Sequence, residues 1–378
     1  MKPIAVFTLA ALILAAACGG GGETSEAADS PMQGDTAAEN IRTLTITDSI
    51  GVDLGDSNYV FGSVENVCFG PDANLYVFDR VKGSAMVYDQ QGRFVRRISR
   101  RGQGPGEMSY PLAMTVLNDG RVMITSIGGI HSFSPTGEYQ GVFAEYYNNP
   151  PMNLLAVGDS SLAAIKLTVA PGEDGNAMVD FWVAKFTDEG EPGVIYATDS
   201  FTFDPTALTE MLQRTFLAYD VAGDPEGRLY VAPRSSELFQ IDIYDEDGQL
   251  IRTIQDDYPQ VAKSEEEIRE EKAWMELYLE NMGVNGVVIE FDPDPMRRMI
   301  SDLGVDSQHR IWARRGTSLR PVFEVYSLEG EHLFTAQLEG VGDEGQFWQF
   351  AIEGEGMAAF STNPEYYQQV YLMELEEG

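Results

Sequence analysis

From Ile41 onward the chain alternates short apolar runs with polar turns. The first complete unit spans Val67 to Pro111. Leu75–Phe78, Ser84–Tyr88 and Phe94–Ile98 are its β-type runs. Asp72 and Asn74 precede the first run, and Asp89-Gln90-Gln91-Gly92 separates the last two. Runs of this length, rich in β-branched and aromatic residues and bounded by Asp, Asn and Gly, predict antiparallel hairpins.

Two markers repeat the unit. A polar turn followed by an apolar strand recurs before Leu75, Val122, Leu162, Leu229, Ile311 and Met357. A later hairpin glycine, at Gly92, Gly137, Gly190, Gly248 and Gly330, leads each time into an outer strand. The sixth unit lacks that outer strand, because the chain ends after Val370–Leu375. The spare strand stands at the other end, at Thr43–Ile46. One strand missing at the end and one extra at the start can close a sheet array into a ring, which leaves no open sheet edge. The predicted fold class is therefore all-β: a six-bladed β-propeller over 41–378, its N-terminal strand closing the last blade.

Two stretches depart from the β pattern. In 204–219, Leu208, Met211, Leu212, Thr215, Phe216 and Tyr219 share a helical face, with Asp204 as N-cap and Pro205 as the first helical residue. In 264–282, Ser264 and Glu267 form a capping box and Gly283 offers a C-terminal cap, with Ile268, Met275, Tyr278, Leu279 and Met282 as the apolar face. Each insertion is expected to pack on the propeller rim. A lid or partner-binding element is the alternative.

Residues 1–18 carry Lys2, the apolar run Ile4–Leu14 and then Ala15-Ala16-Ala17-Cys18. The run is too short to span a bilayer and reads as an export signal. A cysteine at its end resembles a bacterial lipoprotein box, with Cys18 as the lipidated residue. The same alanines also fit an ordinary cleavage site, which would leave a secreted or periplasmic protein. Residues 19–40, glycine-rich and acidic, are expected to be a disordered tether. Gly19 and Gly20 follow the cysteine where an aspartate retains some lipoproteins at the inner membrane, so the analogy with lipoprotein sorting points to the outer membrane. The formal charge of −35 argues against nucleic acid as a partner, since no basic block is segregated. Of the two cysteines, Cys68 lies in a predicted strand and is expected to be a small buried hydrophobe.

Arg101-Gly102-Gln103-Gly104-Pro105-Gly106-Glu107-Met108 follows the first outer strand. With Leu75–Asp79 and Tyr88–Phe94, it resembles the six-bladed β-propeller lipoproteins of bacterial envelopes, relatives of the NHL-repeat propellers. The resemblance implies a rigid disc on a lipidated tether and says little about activity. The glycine loop lacks the G-K-[ST] ending of a phosphate cradle and is expected to make the crossing between two blades.

Counting nine residues back from the six strand anchors gives Asn66, Ala113, Asn153, Asp220, Asp302 and Trp348. Asn66, Asn153, Asp220 and Asp302 would place two amides and two carboxylates at one register, an oxygen ring suited to a divalent cation such as calcium. Local hydrogen bonding at strand entrances accounts for the same residues without a ligand. Arg93, Arg96, Arg97, Arg100 and Arg101 form a basic patch expected on an exposed outer strand. His131, His309 and His332 lie in different units, which argues against zinc or a His-based triad. The chain is thus expected to be a membrane-tethered binding or scaffold module for an envelope protein or a small molecule. The alternative is a metal-dependent hydrolase or lyase with Asp220 and Asp302 at a channel mouth.

Overall fold

The structure is a computed structural model that describes residues 40–146, 151–171, 177–187, 189–203, 219–281, 292–316, 320–340, 348–361 and 367–376. The export signal, Cys18, the tether to residue 39 and the predicted helical stretch 204–218 lie outside the described residues. Tyr219, expected to end that helix, instead opens a β-strand.

The described strands form four separate four-stranded antiparallel sheets and one closed eight-stranded array, which two parallel pairings join from two further four-stranded antiparallel units. The chain opens on β1 (Ile41–Ile50). Blade 1 is β2 (Val64–Phe69), β3 (Leu75–Asp79), β4 (Ser84–Tyr88) and β5 (Phe94–Ile98). A short parallel pair follows, β6 (Arg100–Arg101) and β7 (Glu107–Met108). Blade 2 is β8 (Ala113–Val116), β9 (Val122–Ser126), β10 (Gly128–Phe133) and β11 (Tyr139–Tyr146). Blade 3 is β12 (Met152–Val157), β13 (Ser161–Pro171), β14 (Ala177–Phe186) and β15 (Pro192–Phe203). Blade 4 is β16 (Tyr219–Gly223), β17 (Leu229–Pro233), β18 (Phe239–Tyr244) and β19 (Leu250–Asp256). The helix α1 (Glu265–Asn281) then precedes blade 5, which is β20 (Ile300–Asp306), β21 (Ile311–Arg315), β22 (Val322–Tyr326) and β23 (His332–Leu338). Blade 6 is β24 (Trp348–Gly354), β25 (Gly356–Ser361) and β26 (Val370–Leu375), completed by β1.

The N-terminal strand closes the ring as the sequence predicts. It pairs antiparallel with β26 from Leu44 to Ile50, and also parallel with β23 from Ile41 to Leu44. The outer edges of blades 5 and 6 are thereby joined by one strand.

The repeat markers have a physical basis. Gly92, Gly137, Gly190, Gly248 and Gly330 all adopt φ between 69° and 91°, which an L side chain resists. The polar turn between first and second strands is organised by an aspartate. Asp224 accepts from the Arg228 amide and Nε and from the Tyr230 hydroxyl. Asp306 accepts from the Arg310 amide and Nε and from the Trp312 indole. The repeated Asp-to-Arg-to-aromatic pattern thus satisfies a buried carboxylate and pins the second strand.

This alternation of direction defines two faces. One carries the tight turns after first and third strands. The other carries the blade-to-blade crossings and the loops after second strands, and each inner strand begins there. At the turn face the inner strands are tied together. Phe69 donates its amide to Glu353 at 2.9 Å, Ser307 to the Gly354 carbonyl at 2.6 Å, and Gly158 to the Asp224 carbonyl at 2.8 Å. Gly223 and Gly304 permit this approach, because a Cβ on Gly223 would stand 2.2 Å from the Ala156 oxygen and one on Gly304 2.7 Å from Ile352.

The glycine loop makes the crossing from blade 1 to blade 2. Glu107 folds back into it, accepting the amides of Gln103 and Gly104 at 3.1 and 2.9 Å and the Arg100 Nε at 2.7 Å. The chain supplies its own anion to this loop. Met108 is fully buried among residues of blades 1 and 2. Cys68 is a buried free thiol, as expected. The capping box at Ser264 and Glu267 forms in both directions, at 2.7 and 3.2 Å. Glu267 also holds Arg297 at 2.8 Å, fastening α1 to the crossing that leads into blade 5.

Candidate functional site at the crossing-face mouth

The strand register tests the predicted ring directly. Asn66 pairs with Phe78, Ala113 with Thr125, Asp220 with Ala232 and Asp302 with Arg314, each partner three residues beyond its anchor. These four positions are equivalent. Asn153 is not. It is the extra residue of a bulge between Met152 and Leu154, at φ 49°, and Met152 takes the equivalent place opposite Ile165. Trp348 is one residue early, so Gln349, opposite Phe360, holds the position in blade 6. A fixed count of nine fails wherever a bulge or a shorter turn changes the spacing.

Asp220 and Asp302 come together on blades 4 and 5. Asp220 is buried, and its Oδ1 accepts from Arg234 Nε and Nη2 at 3.0 and 2.7 Å. Asp302 accepts the Leu303 amide at 3.0 Å and the Phe350 amide of blade 6 at 2.9 Å. Burial and then the charge of Asp220 push the Asp302 carboxyl up to about 7, against the pull of Arg314 and of the two amides. Arg314 lies beneath, donating to the Trp348 carbonyl at 2.5 Å.

Arg298 completes the cluster. It stands four residues before Asp302 on the crossing into blade 5. Among the described residues it makes no ion pair and its side chain no hydrogen bond. Burial and the neighbouring Arg234 lower its guanidinium to about 10, opposed by the charges of Asp220, Glu271 and Asp294. Asp302 and Arg298 are enclosed by protein yet keep some water-accessible surface.

Several buried polar atoms here have no partner: Asn66 Oδ1, Thr125 Oγ1, Asp220 Oδ2 and Trp348 Nε1. Buried polar groups are almost always satisfied by protein, water or ligand, so each of these atoms is an exception among the described residues.

The sequence reading missed the arginines. Arg297-Arg298 and Arg314-Arg315 are paired in sequence, the first pair just before β20 and the second ending β21, and Arg234 follows β17. These are five of 25 basic residues in a chain of charge −35. Their signal was two Arg-Arg dipeptides in a lysine-poor, acidic sequence. The patch that was noticed is structural: Arg93 pairs with Asp89, Arg100 with Glu107, and Arg96 bonds Tyr76 and Pro135.

The donor set at the mouth does not fit calcium, which takes six to eight oxygens. Asp220 Oδ1 is occupied by Arg234, both Asp302 oxygens by amides, and Asn153 is out of register, while guanidinium groups stand alongside. A second grouping, Asp224, Glu226 and His309, has ligand atoms within 4.8 Å of one another on the turn face. Arg228 stands within it, at 2.6 Å from Asp224 and 3.1 Å from Glu226.

Residues 56–127 match the DUF5128 family model, described as a 6-bladed beta-propeller. The chain is a six-bladed β-propeller. A member of the DUF4221 family from Bacteroides vulgatus superposes on this propeller with a TM-score of 0.50 at 13% identity, covering 89% of this chain and 98% of that one. A Bacteroides fragilis protein described as exported gives 0.50 at 10% identity, covering 89% and 100%. Regucalcin from Agrobacterium tumefaciens, described as calcium-binding, gives 0.46 at 11%, covering 89% and 97%. At these identities the likeness is one of fold. No functionally curated protein matches the propeller in sequence.

The Asp302 carboxyl makes stability fall with rising pH. Its folded value lies near 7, against about 3.9 unfolded. Between those values the folded state keeps a proton that the unfolded state has lost, so stability declines across the window and the penalty is complete above it. Glu353, raised to about 7 by burial at the turn face, adds in the same sense. Each is expected to lower stability by roughly 1 kcal/mol between pH 5 and 8, about half of the two-unit conversion in that window because both side chains keep some water-accessible surface. Urea unfolding at the two pH values should show the fall, and Asp302→Asn should remove about half of it, leaving the Glu353 share. An unchanged slope would place the Asp302 carboxyl in the ordinary range.

Proposed function

We propose that this propeller is an envelope-anchored lipoprotein, tethered through Cys18, that binds a small-molecule ligand at its crossing-face mouth. The supporting observation is the clustering of Asp220 and Asp302 with Arg234 and Arg298 beside blades 4 and 5. Ionisable groups held together with displaced titration mark a functional site more often than a stable core. In this reading the attachment is the lipid on Cys18, at the end of the apolar run Ile4–Leu14. Cys18→Ala should move the protein from the membrane fraction to the soluble one.

A thermal-shift screen of small polar metabolites on the full chain tests the site. Some compound should raise the unfolding midpoint in wild type and fail to do so in Asp220→Asn. A shift that survives this substitution would place binding elsewhere. Calcium or EDTA should move the midpoint by no more than about one degree. A rise of several degrees with calcium would restore the metal-dependent reading.

An enzymatic reading has one observation in its favour. Asp302 titrates near neutrality beside the Arg234-held carboxylate of Asp220, and such adjacent carboxyls are a common acid–base arrangement in hydrolases and lyases. Turnover of a compound found in the screen, lost in Asp302→Asn, would support it.

A further inference from the structure

We infer that the crossing face of blades 1 and 2 docks an acidic segment of a partner protein, with apolar side chains set between its carboxylates. This goes beyond the small-molecule reading above and uses none of its residues.

The two faces of the disc differ in what they expose. Val81 and Ile127, in the loops after the second strands of blades 1 and 2, are 51% and 58% exposed. Tyr110, in the crossing between these blades, is 61% exposed. Among the described residues, no tight turn after a first or third strand carries a large exposed hydrophobic side chain. Val81, Tyr110 and Ile127 also follow one run of bonded backbone. The Arg101 amide donates to the Lys82 carbonyl at 2.9 Å, next to Val81. Arg101 pairs with Met108, two residues before Tyr110. The Leu112 amide donates to the Thr125 carbonyl at 2.8 Å, so Tyr110 and Ile127 extend neighbouring strand ends of blade 2. Exposed apolar side chains grouped on one face mark an interaction surface, whereas scattered ones do not.

Unpaired cations stand beside them. Arg97 lies opposite Met86 and Arg101 beside Lys82, so both arise from the same edge of blade 1. Both are exposed, and their side chains make no ion pair or hydrogen bond among the described residues. Glu107, the carboxylate of the glycine loop, is already taken by the Gln103 and Gly104 amides and by Arg100. Two unpaired arginines on one edge run against a composition of 60 acidic and 25 basic residues. Arginine and aromatic side chains are the groups enriched at protein interfaces.

Charge and placement select the occupant. A carboxylate-bearing segment complements free guanidinium groups. A second copy offering the same patch would set Arg97 and Arg101 against themselves. A second copy offering its turn face would bring carboxylates but no exposed apolar side chains to meet Val81, Tyr110 and Ile127. A lipid surface fits less well, because β1 runs toward the crossing face and the chain before residue 40 therefore leaves from the turn-face side.

The test is a library of short random peptides displayed on phage and panned on the full chain. A chain of charge −35 would capture basic peptides by indiscriminate attraction. Enrichment of peptides that combine Asp or Glu with Leu, Phe or Trp is the expected result. The most enriched peptide, followed by fluorescence anisotropy, should bind about tenfold or more weakly to the double variant Arg97→Glu, Arg101→Glu and, separately, to Tyr110→Ser. Added salt should weaken it. The turn-face variant Glu329→Arg should bind as wild type does. All these variants change exposed side chains, so their unfolding midpoints should match the wild type. Enrichment of basic peptides, or of apolar ones without carboxylates, would overturn the acidic class. No enrichment, or binding indifferent to both crossing-face variants, would overturn the surface. A wild-type dimer in sedimentation that the double variant splits would assign the patch to a second copy. Co-sedimentation with phosphatidylglycerol vesicles, lost in the double variant, would assign it to lipid. Either of these last results would overturn the partner protein.

Discussion

Glu324→Ala is expected to cost about 3–5 kcal/mol, the range for breaking a buried ion pair from one side. Glu324 is 1% exposed on β22. Its Oε1 accepts from Arg315 Nη1 at 3.1 Å, and its Oε2 from Thr335 at 2.8 Å and from the His332 ring at the same distance. Burial pushes its carboxyl up, but the bonds from His332 and Thr335 and the Arg315 charge outweigh burial and hold it below the ordinary carboxylate value. Its stabilisation is therefore present above the unfolded value and is lost as pH falls through the folded one. Removing the carboxylate takes its counter-charge from Arg315, which is itself only 5% exposed and lies 3.9 Å over the Tyr258 ring. Urea unfolding at neutral pH measures the loss. The double variant Glu324→Leu, Arg315→Met should recover much of it, because no charge is left buried. Equal losses in the single and double variants would mean that packing, and not charge pairing, sets the cost.

Leu44→Asp should be at least as damaging, about 4 kcal/mol or more, because it buries a charge with no partner in an apolar cluster. Leu44 is fully buried among Trp312, Phe323, Phe334, Leu338 and Met373. It is also the residue at which β1 changes partner, opposite Leu338 of β23 on one side and Leu375 of β26 on the other. The damage should be local first. Hydrogen exchange should show early loss of protection in β1, β26 and β23 while β3 and β9 stay protected. Uniform loss around the ring would mean that closure and blade stability are a single cooperative unit.

The architecture was legible because each of its signals is short-range. A hairpin glycine with positive φ, an aspartate capping a turn, and an alternation of apolar positions are all set within a few residues of one another. Even the closing strand could be inferred by counting, since six turns and five outer strands leave one strand over. The candidate site was half legible. Asp220 and Asp302 are equivalent because no residue is inserted between anchor and entrance in β16, and because the β20 bulge precedes Asp302. Asn153 was misplaced by a bulge that leaves no mark in the sequence, and Trp348 by a turn one residue shorter. The arginines were missed for a different reason. Arg298 and Arg234 reach the mouth from a long crossing and from a second-strand loop, where spacing carries no register.

The closing strand has a mechanical consequence. Residue 40 leads straight into β1, and Asn40 is itself bonded to Leu333 at 2.7 Å. Tension on the chain from its N-terminal side would therefore be applied along β1. Interstrand hydrogen bonds run across the strands, so such a pull shears the β23 and β26 pairings together and does not peel them one bond at a time. A propeller held by this end would meet drag or a tug from a partner with two strand pairings loaded in shear at once, and the same strand that shuts the ring would resist its opening.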